Sequence, residues 1–181
     1  PNAPDFSVPD VVPPLNLEAS RVAERQRLLA EVDRFRKGVE GSANRHAQAV
    51  SVFQQKAFDL MTSKEARRAF DIHAEPDKLR DEYGRHALGQ CCLMARRLVE
   101  AGVRCVTIDH SNWDTHDDNF PRLREQLPSW DRTFHALLTD LDERGLTDDV
   151  IVIAWGEMGR APRVGRANMG SQVSATGRDH W

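Results

Sequence analysis

The sequence predicts an α/β fold with a doubly wound, mostly parallel sheet, and three consecutive segments carry this prediction. Residues 103–109 are β-branched and bounded by polar residues, which is typical of a buried strand. Residues 120–141 repeat their large apolar side chains every three or four positions, as an amphipathic helix does. Residues 150–155 are wholly apolar and predict a second strand. A strand, a helix and a strand in this order form a βαβ unit, which joins parallel strands covered on both faces.

The chain before these strands is predicted to be helical. Residues 1–16 are expected to form an extended arm, because five of the nine prolines lie within the first 14 residues. Residues 17–102 contain helical periodicity, with helices expected near 17–39, 43–61 and 86–101. A short helix is expected to start at the capping-box pattern Thr62-Ser63-Lys64-Glu65. We interpret residues 17–181 as part of one domain, helical over 17–102, with the βαβ unit and a site loop over 103–181.

Charge and composition limit the kinds of binding partner and the class of protein that the sequence allows. The 181-residue chain carries a formal net charge of −3, which gives no basic surface for nucleic acid or an anionic membrane. Its apolar runs are far shorter than the roughly 20 residues that a membrane span needs. Three cysteines do not make a disulfide framework. Because residue 1 is a proline, we expect the chain to be a piece of a larger domain.

Acids and histidines cluster where each predicted strand ends. The first cluster follows residues 103–109, the second follows 150–155, and the third lies near residue 180; together they comprise Asp109, His110, Asp114, His116, Glu157, Asp179 and His180. Ligands of open α/β sheets bind beyond the carboxyl ends of the strands. Carboxylates and imidazoles are the usual ligands of catalytic zinc and manganese. The coincidence of the three clusters at one sheet edge therefore predicts metal or phosphate chemistry.

Each cluster taken alone also fits a solvated surface loop, so the prediction depends on their combination. Arg160 and Arg178 are candidates for holding an anion, because a guanidinium can donate two parallel hydrogen bonds to phosphate or sulfate oxygens. An exposed arginine on a loop is an equally good interpretation of either residue.

Four motifs in order carry a resemblance to a known family. They are Ala95-Arg96-Arg97-Leu98-Val99-Glu100-Ala101-Gly102-Val103-Arg104, Trp113-Asp114-Thr115-His116, Gly156-Glu157-Met158-Gly159-Arg160 and Gly177-Arg178-Asp179-His180-Trp181. In this succession the chain resembles the bacterial domain-of-unknown-function family 1501, a sulfatase-like family of the alkaline phosphatase superfamily. The resemblance extends over nearly the whole chain.

The resemblance implies an alkaline-phosphatase-like sheet with a metal site at its carboxyl edge. Asp114 and His116 match the first ligand set, Glu157 the second and His180 the late histidine. The implied metal is Zn or Mn, with Ca or Mg as alternatives. Gly156-Glu157 stands where the superfamily has Asp-His, so a second metal has fewer ligands here. Asp109, His110 and Asp179 are then expected to support the ligands rather than to bind metal.

The implied activity is metal-dependent hydrolysis of a phosphate or sulfate ester in a small-molecule or polysaccharide substrate. Arg160 and Arg178 would stabilise its developing charge. The catalytic nucleophile is expected upstream of Pro1, so the isolated piece is expected to be inactive. The export signals of the family imply a periplasmic or exported protein. The alternative is a degenerate member that binds metal without catalysis or acts as an envelope-associated binding protein. No oligomeric state is implied.

Overall fold

The fold was determined from a computed structural model, which describes residues 3–8, 18–39, 52–53, 55–56, 59, 63–165, 167–169 and 172–181. The chain divides into two compact units, one of Asp5–Asp71 and one of Pro1–Pro4 with Ile72–Trp181. The described part of the predicted arm, residues 3–8, contains neither helix nor strand. The helix predicted over 43–61 lies mostly outside the described residues.

Two helices of the first unit have defined bounds within the described residues. Helix α1 spans Ala19–Val39 and helix α2 spans Lys64–Phe70. The Ser63 side chain caps α2 by accepting a hydrogen bond of 3.0 Å from the Ala66 backbone N–H. The cap is therefore one residue later than the Thr62 of the predicted capping box, because Ser63 already satisfies a free amide of the first turn.

The second unit contains a short 3₁₀ helix and three α-helices. The 3₁₀ helix covers Ile72–Ala74, and α3 (Asp77–Tyr83), α4 (Ala87–Glu100) and α5 (Asn119–Glu143) follow. The predicted helices near 86–101 and 120–141 are confirmed as α4 and α5. Gly102 follows α4 with a φ of 91°, the left-handed conformation in which a glycine ends a helix without strain. The sequence did not predict α3, where only a connection and the approach to α4 were expected.

The apolar core of this unit lies between α3, α4 and α5. Its most buried members are Ile72, Tyr83, Leu93 and Leu141. Gly89 allows α3 and α4 to meet closely, since a Cβ there would lie 2.2 Å from the Tyr83 carbonyl oxygen. The sequence predicts an apolar face of α4 formed by Leu88, Cys92, Ala95, Leu98 and Val99. Only Cys92 of this face is buried, and α4 also buries Gln90 and Arg96.

A buried ion network crosses the same core. Arg96, 2% exposed, donates from Nε to Asp140 at 2.8 Å and pairs with Glu75 at 3.1 Å and Glu100 at 2.5 Å. Arg144 completes it with hydrogen bonds to Asp140 at 2.6 Å and Glu100 at 2.7 Å. These contacts join α4, α5 and the segment after the 3₁₀ helix, so the network positions three elements at once.

The network keeps its carboxylates ionised. Burial alone would raise the pKa of Asp140, but hydrogen bonds from Arg144 and Tyr83 and the charge of Arg96 outweigh it and lower the pKa. The pKa of Glu75 is lowered in the same way, since contacts with Arg96 and Arg97 outweigh its burial. Buried charges of this kind are tolerated only when paired.

Four short strands follow the last helix. Strand β1 (Arg160–Val164) pairs antiparallel with β4 (Arg178–His180), and β2 (Ala167–Met169) pairs antiparallel with β3 (Gln172–Ser174). Residues 156–181 have no periodicity in the sequence, which predicts a loop, and the four strands show that this prediction is wrong. Strands of three to five residues are too short to show a periodicity, and they form here by pairing across the chain.

The two predicted strands, 103–109 and 150–155, carry no ladder pairing among the described residues. The second of them exposes its apolar side chains, with Ile151 at 86%, Ile153 at 68% and Trp155 at 75%. A strand exists only through hydrogen bonds to a neighbour. The two segments thus have the amino-acid composition of strands, but no neighbouring strand pairs with them among the described residues. The parallel sheet therefore stays a prediction.

No helix in the described part of the chain is long and apolar enough to cross a membrane.

Candidate metal centre

The loop before α5 carries the first two predicted ligands and is fixed by its neighbours. Between Asp114 and His116 lies Thr115, which is 2% exposed and donates from Oγ1 to Asn119 Oδ1 at 2.5 Å. The Thr115 carbonyl accepts a 3.0 Å hydrogen bond from the Arg178 backbone N–H in β4. The alternation of side chains around a buried threonine therefore presents Asp114 and His116 outward, beside the strand that carries His180.

A second contact holds β4 against this loop. A Cβ on Gly177 would lie 1.8 Å from the His116 carbonyl oxygen. Just before it, the Thr176 backbone carbonyl accepts a 3.0 Å hydrogen bond from the Asn119 N–H, and the Thr176 hydroxyl accepts one of 2.9 Å from the Asp118 N–H. Asp118 itself has a φ of 45°, a strained conformation for a residue with a side chain. The approach of residues 176–178 to the start of α5 brings the two halves of the site together.

Asp114, His116 and His180 converge on one point. His116 Nε2 and His180 Nε2 lie 3.0 Å and 2.9 Å from the same Asp114 oxygen, Oδ1, and 3.1 Å from each other. One ligand atom of each residue lies within 4.8 Å of the others. Within the described residues, this is the group of three or more His, Cys, Asp or Glu side chains that is close enough to hold a cation.

The site stabilises the ionised carboxylate. The hydrogen bond with His180 has the largest effect and lowers the pKa of Asp114, and the electrostatic effects of His116, His180 and Arg160 add to it against the opposing effect of burial. The side chains of Asp114 and His180 are 55% and 43% exposed, so the convergence point is open to solvent. A carboxylate held ionised in an open position is available to a cation and to a substrate.

The donor set fits a divalent metal. Tetrahedral ligands about 2.1 Å from zinc lie roughly 3.4 Å apart, so each of the three atoms would move outward by only a few tenths of an ångström. Two imidazoles and one carboxylate with a free fourth position is also the ligand count of catalytic zinc sites. The three lone pairs that meet here compete for protons, whereas one cation satisfies all of them.

Asp179 lies behind His116, on the far side of the ring. His116 Nδ1 is 3.9 Å from Asp179 Oδ1 and is buried without a hydrogen-bond partner. Metal-binding histidines usually donate their second ring N–H to a carboxylate, which fixes the tautomer and the ring orientation. A small decrease in the distance between His116 Nδ1 and Asp179 Oδ1 would form this hydrogen bond, consistent with the supporting role predicted for Asp179.

The two predicted anion-holding arginines are engaged within the protein. Arg160 donates from one terminal nitrogen to Asp114 Oδ1 and from the other to the Arg178 carbonyl. Arg178 donates from Nε to the Ala161 carbonyl at 2.8 Å and contacts the Arg160 carbonyl at 3.4 Å. In this arrangement they brace β1 against β4.

The remaining predicted site residues lie outside the convergence point. Glu157 is exposed and does not belong to the group of close ligand atoms. Asp109 is exposed as well. His110 packs its ring edge-on to Trp113, with ring centroids 5.6 Å apart, and its Nε2 is buried without a partner. The structure thus brings together three of the four predicted ligands.

Sequence reasoning missed the residues that build the frame of the site. The sequence pattern assigns no role of their own to Thr115, Asn119, Thr176 and Gly177. Their importance lies in contacts between residues about 58 positions apart, which no local pattern reveals. A glycine directly before Arg178-Asp179-His180 was the one available signal, because glycine is required where two backbones approach closely.

The sequence model of a protein family described as "Protein of unknown function (DUF1501)" matches residues 1–181. The chain belongs to this family. No curated protein and no solved structure matches it. The prediction of this family is therefore confirmed. Three of its motifs meet in space, namely those that carry Asp114 and His116, Arg160, and His180.

Proposed function

We propose that this DUF1501 protein is a metal-dependent hydrolase of phosphate or sulfate esters. One observation supports the proposal above the others: Asp114, His116 and His180 converge within hydrogen-bond distance although 64 residues separate the two histidines. The chemistry that a divalent cation supplies in such a site is activation of an oxygen nucleophile and neutralisation of charge on the ester.

The charge of the donor set favours an anionic substrate. One carboxylate and two neutral imidazoles leave a divalent cation with a net positive charge. Arg160 and Arg178 add two further cations within the same short sheet. A site of this charge attracts phosphate and sulfate esters and stabilises the negative charge that grows on their oxygens.

The proposal includes the alkaline-phosphatase-like fold. Residues 103–109 and 150–155 would be parallel strands, with α5 as the helix that connects them. The exposure of Ile151, Ile153 and Trp155 supports this, because three adjoining large apolar side chains in one segment require a covering layer. His110 and Gly156 directly follow these segments, so the site would lie at the carboxyl ends of the strands.

The second candidate is a protein that binds metal without catalysis. The position of Glu157 favours it, since an exposed Glu157 outside the group leaves three ligands and no evident second metal. Both candidates need the same ligands and differ only in turnover.

The first experiment measures metal content and affinity in the full-length protein. We expect His180→Ala and Asp114→Asn to weaken zinc or manganese binding by about tenfold or more, because even the residues behind metal ligands matter by that factor. His135→Ala is the matched control, since His135 is an exposed histidine on α5. Equal metal content in all of these variants would contradict the site.

The second experiment separates the two candidates. Phosphate monoesters, phosphate diesters and sulfate esters are offered to the metal-loaded protein, and turnover that a chelator abolishes and His180→Ala lacks supports the hydrolase. Metal binding without turnover on any of these ester classes supports the binding protein. Glu157→Gln tests the fourth ligand in both assays.

A further inference from the structure

Arg160 shares its carboxylate partner with both histidines of the site. Its Nη1 donates to Asp114 Oδ1, the oxygen that lies 3.0 Å from His116 Nε2 and 2.9 Å from His180 Nε2. The Arg160 side chain is 19% exposed, and its Nη2 is anchored on the Arg178 carbonyl. Nitrogen atoms of three side chains therefore surround one oxygen.

A single carboxylate oxygen does not have room for these groups and a cation together. It offers about two lone-pair positions. When a metal takes one of them, the two histidines turn their nitrogens to the metal as ligands. A guanidinium has no acceptor atom and cannot become a ligand. Its positive charge would lie on the same oxygen as the metal cation, so repulsion between the two cations favours release of Arg160 from Asp114.

We propose that Arg160 is an exchangeable counter-cation of Asp114, which holds this carboxylate in place without metal and is displaced when metal binds. The inference rests on the proposed metal site. It makes Arg160 a positioning residue that lowers the affinity of the site for metal, in contrast to an arginine that merely braces β1 and β4.

Zinc titration by calorimetry tests the proposal on the full-length protein. Arg160→Gln is expected to bind zinc roughly two- to fivefold more tightly than the wild-type protein, the range for losing one partly exposed ionic competitor. Arg163→Gln is the matched control, because it removes an exposed arginine from the same strand and is expected to leave the affinity unchanged. Equal or weaker binding in Arg160→Gln, as a bracing role requires, overturns the proposal.

Two further measurements distinguish an error in the role of Arg160 from an error in the metal site. In NMR spectra, the side-chain N–H signals of Arg160 are expected to shift on zinc addition while those of Arg163 stay in place, and unmoved Arg160 signals contradict the exchange. Absence of zinc binding in the wild-type protein contradicts the metal site itself. Binding that is lost in His180→Ala but not strengthened in Arg160→Gln contradicts only the role of Arg160.

Discussion

Gly177 illustrates how a single residue without a side chain determines the geometry of the candidate site. Its α-carbon faces the His116 carbonyl at a distance that leaves no space for a methyl group. The backbone contact behind it, from the Arg178 N–H to the Thr115 carbonyl, fixes the orientation of the loop. Both ligands of that loop thus depend on a position that has no chemistry of its own.

Gly177→Ala is expected to separate β4 from the loop and to weaken metal binding at least as much as loss of one ligand. The methyl group would meet backbone, which cannot rotate away as a side chain can. Gly156→Ala is the control, since a Cβ there has an ordinary contact of 3.6 Å with the Met158 carbonyl. Calorimetric titration with zinc checks both variants, and wild-type affinity in Gly177→Ala would show that the loop adapts.

At the residue scale, the sequence predicted the candidate metal ligands better than the residues that hold them in position. Asp114, His116 and His180 were found because their residue types are those of metal ligands and their motifs are local. The roles of Gly177 and Thr115 depend on contacts between distant segments. The engagement of Arg160 with Asp114 was also not predictable, because an arginine at the start of an irregular segment fits an anion equally well.

At the scale of elements, the longer helices were predictable, whereas the short helix α3 and the strands were not. Helices α4 and α5 follow from hydrogen bonds and side-chain spacing within each segment. The strands β1 to β4 have three to five residues each and depend on partners elsewhere in the chain. Residues 103–109 and 150–155 present the opposite case, since their composition predicts strands but the described residues offer them no partner.

The proposed strand over residues 150–155 has a measurable consequence. Ile153 is 68% exposed in the present structure, where an aspartate would be tolerated. In a covered parallel sheet, Ile153→Asp buries an unpaired charge and should lower the free energy of unfolding of the full-length protein by about 3 kcal/mol or more.

Urea unfolding measures this difference. Thr139→Asp, on an exposed position of α5, controls for the added charge and should change the free energy by less than about 0.5 kcal/mol. A small effect of both substitutions would count against the parallel sheet.

At the scale of the second unit, stability depends on charges in its interior as well as on apolar burial. The network around Arg96 joins α4, α5 and Glu75, so the helices cannot separate without exposing several ion pairs at once. The sequence did not predict this network, because charged residues within helices, such as Arg96 and Asp140, are normally expected to face solvent. These two side chains are buried only because their charged partners are present.

The lowered pKa values of Asp140 and Glu75 predict loss of stability in acid. A carboxylate whose folded pKa lies below its unfolded value contributes stability above the unfolded pKa and loses it as the pH falls through the folded one. The contribution of these two carboxylates to the free energy of unfolding should therefore be level between about pH 7 and 5 and fall below about pH 4. Asp140→Asn should unfold more easily at neutral pH but with a shallower acid slope, and an unchanged slope would show that other groups control acid unfolding.

The convergence of Asp114 with His180 has a topological consequence. A cation bound to both would tie together residues 66 positions apart and would act as a reversible cross-link. Closing so long a loop restricts the unfolded chain more than the folded one. The melting temperature would then rise with the concentration of free metal. Thermal denaturation in the presence and absence of a chelator would thus report whether the two ends of this segment are tied together, even where no substrate is known.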